Sequence, residues 1–572
     1  MVGTPARFDH VIVGGGSAGC VLANRLSAKP SRRVLLIEAG PDLTAEAMPD
    51  VLADSYPGQA AIDPRFQFLL SVTTEPGSHN RAPDTAPPVS RPYMQGRVLG
   101  GGSSINGQLA NRGAPGDYDE WQALGAEGWG WDSVLPFFRK LERDLDYGGP
   151  LHGKDGPIAI RRLPEQDWNG YTRAAAAVFA ASGFEYLPDQ NGPFRDGYFP
   201  IAMSNMDDRR VSTATAYLSP DVRRRPNLTV MTDTSMMRLV MDGHACIGVE
   251  VMVAGAPAVI DAGEVIVSCG AIHSPAHLLR AGIGPAADLR AQGITVVADR
   301  PGVGQRMMDH PAVSLGSFVR PAGRWGKGSR RHMQIGLRYT SGIGDVDSDM
   351  FLGVITKTAW HAVGDQIAAL SVFIGKSFSD KGSVTLASTD WRDQPRVDFR
   401  LLADYRDTAR LMDGFRRLVV WQTMPELRAV SREIFPASYS QRVRAFNSVN
   451  LMNRVRAQVA RRLLDGPARL RSLLVRRMIA GGADVHDIIA DDEQLETFVR
   501  NSVIGVWHPC CSCRMGAAND PMAVTDSQGR VHGVAGLRVV DASIFPMVPR
   551  ANLNVPTIMT AEKIAEGIVT SR

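Results

Sequence analysis

Three things are scarce in this chain of 572 residues, and each scarcity narrows what it does. It has six cysteines, three of them crowded at Cys510, Cys511 and Cys513, which is no disulfide framework and fits a reducing compartment. Charge of one sign is missing. With 63 Lys and Arg against 59 Asp and Glu the net charge is +4, and without a recognition motif no nucleic-acid partner is expected. Long hydrophobic runs are missing too: none reaches the roughly 18 residues of a transmembrane helix, the nearest being Ala174 to Phe184. No basic-then-apolar leader precedes the first strand-like run, so a cytoplasmic location is expected. What remains is a globular composition, 44% apolar and 21% charged, long enough for roughly two to four domains.

Against that background the glycines are organised. Val11-Ile12-Val13 runs into Gly14-Gly15-Gly16-Ser17-Ala18-Gly19, a short apolar strand ending in G-x-G-x-x-G at Gly14, Gly16 and Gly19. Ser17 and Ala18 open a helix whose apolar positions recur at Ala18, Leu22 and Leu26. Such a turn brings a helix N-terminus, with its free N–H groups and dipole, up to a pyrophosphate. A second strand, Val34 to Ile37, ends at Glu38, 24 residues after Gly14, where a carboxylate can hold ribose hydroxyls. Ala39 and Gly40 follow it in place of the cation that NADP would require. A dinucleotide site in an α/β fold is expected, and these residues alone do not choose between FAD and NAD.

Asp42 to Arg91, rich in Pro, Ala, Asp and Ser, reads as irregular loops. Gly96 to Gly107 (G-R-V-L-G-G-G-S-S-I-N-G) is a second cluster of glycines and hydroxyls. It can bring backbone N–H groups against a flat or anionic ligand, with Arg97, Gly101, Ser103, Asn106 and Gly107 as expected contacts. Asp132-Ser133 begins an amphipathic helix running to Leu141. Glu264 to Ser268 is a near-continuous apolar strand of a buried parallel sheet and leads into Cys269-Gly270. From about 312 to 500, segments such as Met350 to Ile355 and Ala369 to Ile374 predict strands, with helices after Asp404. Eight arginines between Arg454 and Met478, broken by Asp465-Gly466-Pro467, predict two short basic helices. Such helices can lie on an anionic membrane, but a solvated or subunit-facing arginine side is the favoured reading.

Val506 to Gly516 (V-W-H-P-C-C-S-C-R-M-G) carries two competing chemistries. Cys510-x-x-Cys513 has redox or zinc spacing. A closed zinc site needs about four ligands and the chain offers no second cysteine pair, so no metal is expected. His508, between Trp507 and a proline, is a neutral base in the working pH range. Downstream, Gly536 to Val540 predicts a strand ending at Asp541-Ala542. Asn552 and Asn554 then precede Pro556-Thr557 at a helix start, where the missing proline N–H has no partner to lose.

The two glycine segments and these C-terminal motifs resemble the glucose–methanol–choline (GMC) oxidoreductases, a family of FAD enzymes, over nearly the whole chain. The resemblance implies a Rossmann-like FAD-binding domain discontinuous in sequence (1–160, 205–311 and 517–572). It also implies a substrate-binding domain (161–204 and 312–516) built on an antiparallel sheet flanked by helices. It places the second glycine segment along the isoalloxazine, the backbone of Met236 near the adenine, and Asp541-Ala542 near the pyrophosphate and ribityl chain. Cys269-Gly270 opens a second family signature, in which His277 and Ala281 replace the usual aliphatic residue and serine. Asn554, Pro556 and Thr557 open a helix toward flavin N1 and C2=O, where its dipole stabilises developing negative charge. Members with covalent FAD carry a histidine before the asparagine of the second segment. Ile105 stands there, so non-covalent FAD is expected.

The resemblance further makes His508 the base that takes the hydroxyl proton as hydride leaves carbon for N5, and Asn552 the group that orients the alkoxide. His310, in Asp-His-Pro, reads instead as a hinge histidine bonded to backbone. The expected reaction is oxidation of an aryl or furanic primary alcohol, hydroxymethylfurfural-like, to the aldehyde and onward to the acid through its hydrate. Oxygen would be the acceptor, giving hydrogen peroxide, in a monomer or homodimer. Two alternatives stay open: a choline or aliphatic alcohol dehydrogenase with a quinone-type acceptor, and a non-catalytic flavin-binding redox sensor built on Cys510 and Cys513.

Overall fold

The computed structural model describes residues 7–74, 90–326, 330–359, 361–437, 445–475 and 484–570. Its first sheet is built from the apolar runs around the opening glycine turn. Five strands lie parallel in the order Leu228–Met231, Val34–Ile37, Phe8–Val13, Ala256–Val267 and Leu537–Val539. All four residues of Val34–Ile37 are buried, as a parallel sheet covered on both faces requires. The strand Ala256–Val267 changes partners midway. Its first half runs antiparallel to Ala245–Val253, itself paired with Ser235–Asp242, and its second half is parallel to Phe8–Val13 and Leu537–Val539. The helices Ser17–Ser27 and Asn554–Thr570 pack together, and Arg25 forks onto the buried carboxylate of Glu562, which also accepts from the Tyr217 hydroxyl at 2.8 Å.

The second large sheet is antiparallel throughout: Ser431–Pro436, Pro311–Val319, Ile367–Ile374, Met350–Ile355, Met333–Tyr339 and Gly197–Pro200, with Ile504–Gly505 added beside Pro311. Period-two alternation divides its faces. Leu315, Leu352, Leu370 and Val372 pack into a core with Leu411, Phe415 and Leu418 of the helix Tyr405–Thr423. Ser314, Gly316, Gly353, Ala369 and Ser371 border a cavity on the other side. The fold class is the expected one, a Rossmann-like sheet with an antiparallel sheet flanked by helices.

Asp42 to Arg91 is not loop alone. Gln67–Thr73 and Ser90–Gly96 form an antiparallel pair, continued by Arg396–Asp398, Gly382–Thr385 and Gln305–Met307. The signal was the alternation of Phe68, Leu70 and Val72, of which Leu70 and Val72 are buried; residues 75–89 lie outside the described residues. This sheet draws strands from both sides of the sequence division expected above. The amphipathic helix spans Trp131–Leu141, preceded by Pro115–Ala123. The arginine-rich stretch forms Leu451–Leu464 and Ala468–Leu474, with Arg476, Arg477 and Met478 outside the described residues. No helix among the described residues is long and apolar enough to cross a membrane.

Candidate active site

A cavity of about 1820 Å³ lies between the two large sheets. Its inner end is made by glycines. Gly14 has φ +96°, and a Cβ there would meet the Ser268 carbonyl oxygen at 2.4 Å. The second glycine segment backs onto the first: Gly100 N–H donates to the Gly15 carbonyl at 2.6 Å, and a Cβ on Gly101 would strike Gly16 Cα at 2.8 Å. In contrast, a Cβ on Gly16 would meet nothing closer than 4.0 Å, and one on Gly102 or Gly270 nothing within 4 Å. All three border the cavity, so bare backbone faces space that side chains would fill. The helices Ser17–Ser27 and Asn554–Thr570 both begin there, tied by Ser17 Oγ donating to Asn554 Oδ1 at 2.8 Å. Two positive helix ends on one cavity suit an anionic, ring-bearing dinucleotide.

Most of the expected contacts line this space: Ser17, Ala18, Ala39, Arg97, Asn106, Gly107, Met236, Cys269, Ala542 and Thr557 among them. Three do not. Gly19 is packed against the Gly14 carbonyl, which a Cβ would meet at 1.9 Å. The Ser103 hydroxyl is spent inside the wall, donating to the Gly100 carbonyl at 2.6 Å and accepting from Thr213 N–H at 3.0 Å. Pro556 is buried within the last helix, between Asn554 and Thr557, which do reach the cavity.

Two acids line the cavity while also bracing it. Glu38 accepts from Gly15 N–H at 2.9 Å and Gly40 N–H at 2.8 Å, and burial pushes its carboxyl up to about 7. Asp541 accepts from Gly270 N–H at 2.8 Å, Ser274 Oγ at 2.6 Å and Ser543 N–H at 2.8 Å.

At the other end, hydrogen-bond geometry sets the protonation of His508. His310 Nε2 lies 3.0 Å from the Pro549 carbonyl, which can only accept, so that nitrogen carries the proton. Nδ1 of the neutral His310 ring is then bare and accepts from His508 Nδ1–H at 2.8 Å. That leaves His508 Nε2 bare, 3.0 Å from Asn552 Nδ2. Burial lowers His310 to about 4 and holds His508 well below its usual value, with the neighbouring His310 adding to the effect. His310 is bonded to backbone as expected, and it also fixes the tautomer of His508.

The residue before His508 is strained: Trp507 sits at φ +62°, a left-handed conformation uncommon outside glycine. It stacks on Tyr93 at 5.9 Å. Asp309 holds the turn, accepting from His508 N–H at 3.0 Å, His310 N–H at 2.7 Å and the Tyr93 hydroxyl at 3.1 Å. Burial pushes this carboxyl up to about 7. Asn552 is anchored by its N–H on Asn111 Oδ1 at 2.9 Å, while its own Oδ1 is buried without a partner.

Four of these supports escaped the sequence reading: Tyr93, Asn111, Asp309 and Arg210, whose guanidinium donates to Asn106 Oδ1 at 2.8 Å. Each acts across a long stretch of chain, and of the four only Asp309, in Asp-His-Pro, stood in a motif named above. The cysteine chemistry finds no support. All six thiols are free. Cys510 Sγ lies 3.3 Å from Cys511, and burial pushes both the Cys510 and Cys513 thiols well above their usual range, where the reactive thiolate is disfavoured.

A dinucleotide cradle facing a neutral histidine, with an amide beside its bare nitrogen, fits a flavin-dependent oxidoreductase acting on alcohol groups. The chain belongs to the GMC oxidoreductase family, whose profiles match residues 8–312 and 378–561. It is 42% identical to a 5-(hydroxymethyl)furfural oxidase from Methylovorus sp. (strain MP688), over 99% of both chains. It is also 34% identical to an oxygen-dependent choline dehydrogenase from Brucella anthropi, over 98% of this chain and 95% of the relative. Among solved structures it resembles pyridoxine 4-oxidase from Mesorbium loti (TM-score 0.80, 27% identity, covering 99% of this chain and 100% of that one). A fungal aryl-alcohol oxidase shares the fold (TM-score 0.75, 21% identity, covering 98% and 99%). FAD is the cofactor of the family, and the bare glycines and paired helix ends fit it.

Proposed function

We propose that this enzyme oxidises a neutral primary alcohol, aryl or furanic, to the aldehyde and, through the hydrate, to the acid, with oxygen as the electron acceptor. The observation that carries the reading is the bare Nε2 of His508 beside Asn552 Nδ2, under a wall without charge. That wall is the cavity face of the antiparallel sheet: Ala312, Ser314, Gly316, Gly353, Ala369, Ser371 and Phe373. Choline is a permanent cation and would need a carboxylate or an aromatic cage there. Among its described cavity residues the sheet offers no carboxylate, and only Phe373 and Phe435 as aromatic rings, which speaks against the choline reading.

In the proposed mechanism Gly16, Ser17, Gly102, Gly270 and Asn554 would hold FAD, which would supply a hydride acceptor when bound. The alcohol oxygen enters between His508 and Asn552 and replaces their mutual hydrogen bond. Its O–H donates to His508 Nε2, and Asn552 Nδ2 donates to the oxygen. His508 takes the hydroxyl proton, and the imidazolium is stabilised through Nδ1–H by His310, which passes the polarisation to the Pro549 carbonyl. Asn552 holds the alkoxide so that its carbon faces the acceptor. A gem-diol presents the same O–H and C–H pair, which is how an aldehyde would be carried to the acid.

Anaerobic mixing with benzyl alcohol, hydroxymethylfurfural, choline and hexanol tests the reading: the first two should bleach the yellow protein and choline should not. Admission of air should restore the colour with release of peroxide. Bleaching by choline alone would reverse the assignment. With Ile105 at the attachment position, flavin should stay in the supernatant after acid precipitation; flavin pelleting with the polypeptide would overturn non-covalent binding. The free thiols support the cytoplasm as its location.

A further inference from the structure

The cavity does not end at the uncharged wall beside His508. Along the strand Ile367–Ile374, alternate residues Phe373, Ser371, Ala369 and Ile367 all border it. At about 3.3 Å per residue this is a floor roughly 20 Å long. The Phe373 end is the catalytic one, since its ring lies 6.0 Å from that of His310. At the Ile367 end the character changes. Phe318, Val363, Phe435, Leu464 and Val475 form a separate apolar cluster, with Ile367, Phe446, Ala460 and Leu474 packed against it.

The helix Leu451–Leu464 closes this end in an unusual way. Leu464 and Ala457 face inward and are buried, whereas Val455 and Val459 are each 54% exposed and Leu463 is 41% exposed. All three exposed residues nonetheless border the cavity. They are spaced four apart, so they form one row on a helix flank and line the opening. An apolar row in that position is an unfavourable surface unless something apolar covers it.

We propose that this vestibule is a second subsite, which takes an apolar tail carried by the substrate on the side away from its carbinol. The occupant is the substrate itself because the vestibule is continuous with the space at His508 through a floor bearing no charged side chain from Phe373 to Ile367. The preferred class is therefore an extended aryl alcohol with an alkyl or aryl substituent, rather than a single small ring. The substrate assignment rests on the alcohol-oxidising reading above; the binding of an apolar tail does not.

The test uses the FAD-loaded full chain with benzyl, 4-butylbenzyl and 4-hexylbenzyl alcohols. Each buried methylene should raise kcat/KM by about fourfold until the vestibule is filled. V459D should leave benzyl alcohol unchanged and lower kcat/KM for the 4-hexyl compound at least tenfold. L463E, a second surface change on the same row, should do the same. V259D, on an exposed strand position that does not border the cavity, should alter neither. Binding of 4-hexylanisole, which has no carbinol, should follow the same pattern in tryptophan fluorescence. If that binding is normal and row-dependent while no alcohol bleaches the flavin, the alcohol reading fails and the subsite stands. A kcat/KM indifferent to tail length, or losses in V459D equal for short and long substrates, overturns the proposal. So does a stable dimer that V459D separates without changing the tail dependence, because a second copy would then cover the row.

Discussion

Two buried clusters in this protein use the same residue types to opposite ends. In the first, Glu142, Asp144 and Asp189 surround His152, whose Nδ1 lies 3.1 Å from Asp144 and whose Nε2 lies 2.8 Å from Asp189. Arg112 pairs with Glu142, and Arg162 reaches both Asp144 and Asp189. In the second, Asp309 sits beside His310 and His508, but its oxygens accept only from backbone N–H groups and the Tyr93 hydroxyl. The rings face each other and a carbonyl instead. Carboxylates on both ring nitrogens hold His152 protonated and push its pKa up to about 10. Without them, burial drives His310 and His508 down. Three acids, two guanidinium groups and one imidazolium balance the first cluster into a clasp. The second keeps a bare nitrogen, which is what the proposed base requires. Proximity would allow a metal at either cluster, yet their donor atoms are already engaged with one another, with arginines or with backbone.

The sharpest way to break this contrast is to remove each histidine. His508→Ala should retain yellow FAD and lower the rate of flavin reduction by about 10²–10⁴, the worth of a positioned base. Near-normal bleaching in stopped flow would take the base role from His508.

His152→Ala should do the reverse. It leaves three buried carboxylates against two guanidinium groups, and breaking such a buried pairing costs about 3–5 kcal/mol. Denaturant unfolding of the holoenzyme should show that loss, while the reduction rate of the folded fraction stays within about twofold. The pH dependence carries a sign. The folded pKa is raised above the usual histidine value of 6.5, so the contribution is full below that pH. It should be lost as pH rises through about 10. The difference in Tm between wild type and variant should therefore shrink in alkali; a constant difference would mean that His152 contributes packing rather than charge.

His508 was legible in the sequence as a candidate and the clasp was not, for a physical reason. His508 stands in a compact motif, Trp-His-Pro, so its neighbours along the chain announce it. Glu142, Asp144 and Asp189 come from a short strand and a loop, and His152 from the turn between Gly149 and Gly153, with nothing in the local pattern to unite them. The same limit applied to the glycine turns. Gly14 and Gly16 could be read from spacing, but Ser103 and Gly101 lie in one short segment and face opposite ways, one into the wall and one onto the cavity. Glu38 was placed correctly at the strand end; that both its oxygens would also brace Gly15 and Gly40 depended on a turn closed by tertiary packing.

His310 tests the middle of the contrast, since it is a histidine that does no chemistry of its own. His310→Ala removes the acceptor for His508 Nδ1–H and frees the ring to adopt either tautomer. The expected loss is about 10- to 100-fold in kcat, the scale seen when a partner that orients a functional histidine is removed, with KM nearly unchanged. A rise in KM at constant kcat would place His310 in substrate binding instead.

The smallest effect is an expected flatness. Burial and the neighbouring His310 hold the His508 pKa well below 6.5, so the base is already unprotonated through the neutral range. The kcat profile should stay level from about pH 8 down to about 6.5 and fall only in more acid solution, where His508 takes up a proton before the substrate can offer one. If the wild-type limb already lies near pH 7, the second cluster is not electrostatically opposite to the first, and a carboxylate such as Asp309 must be supporting the charged form of His508 after all.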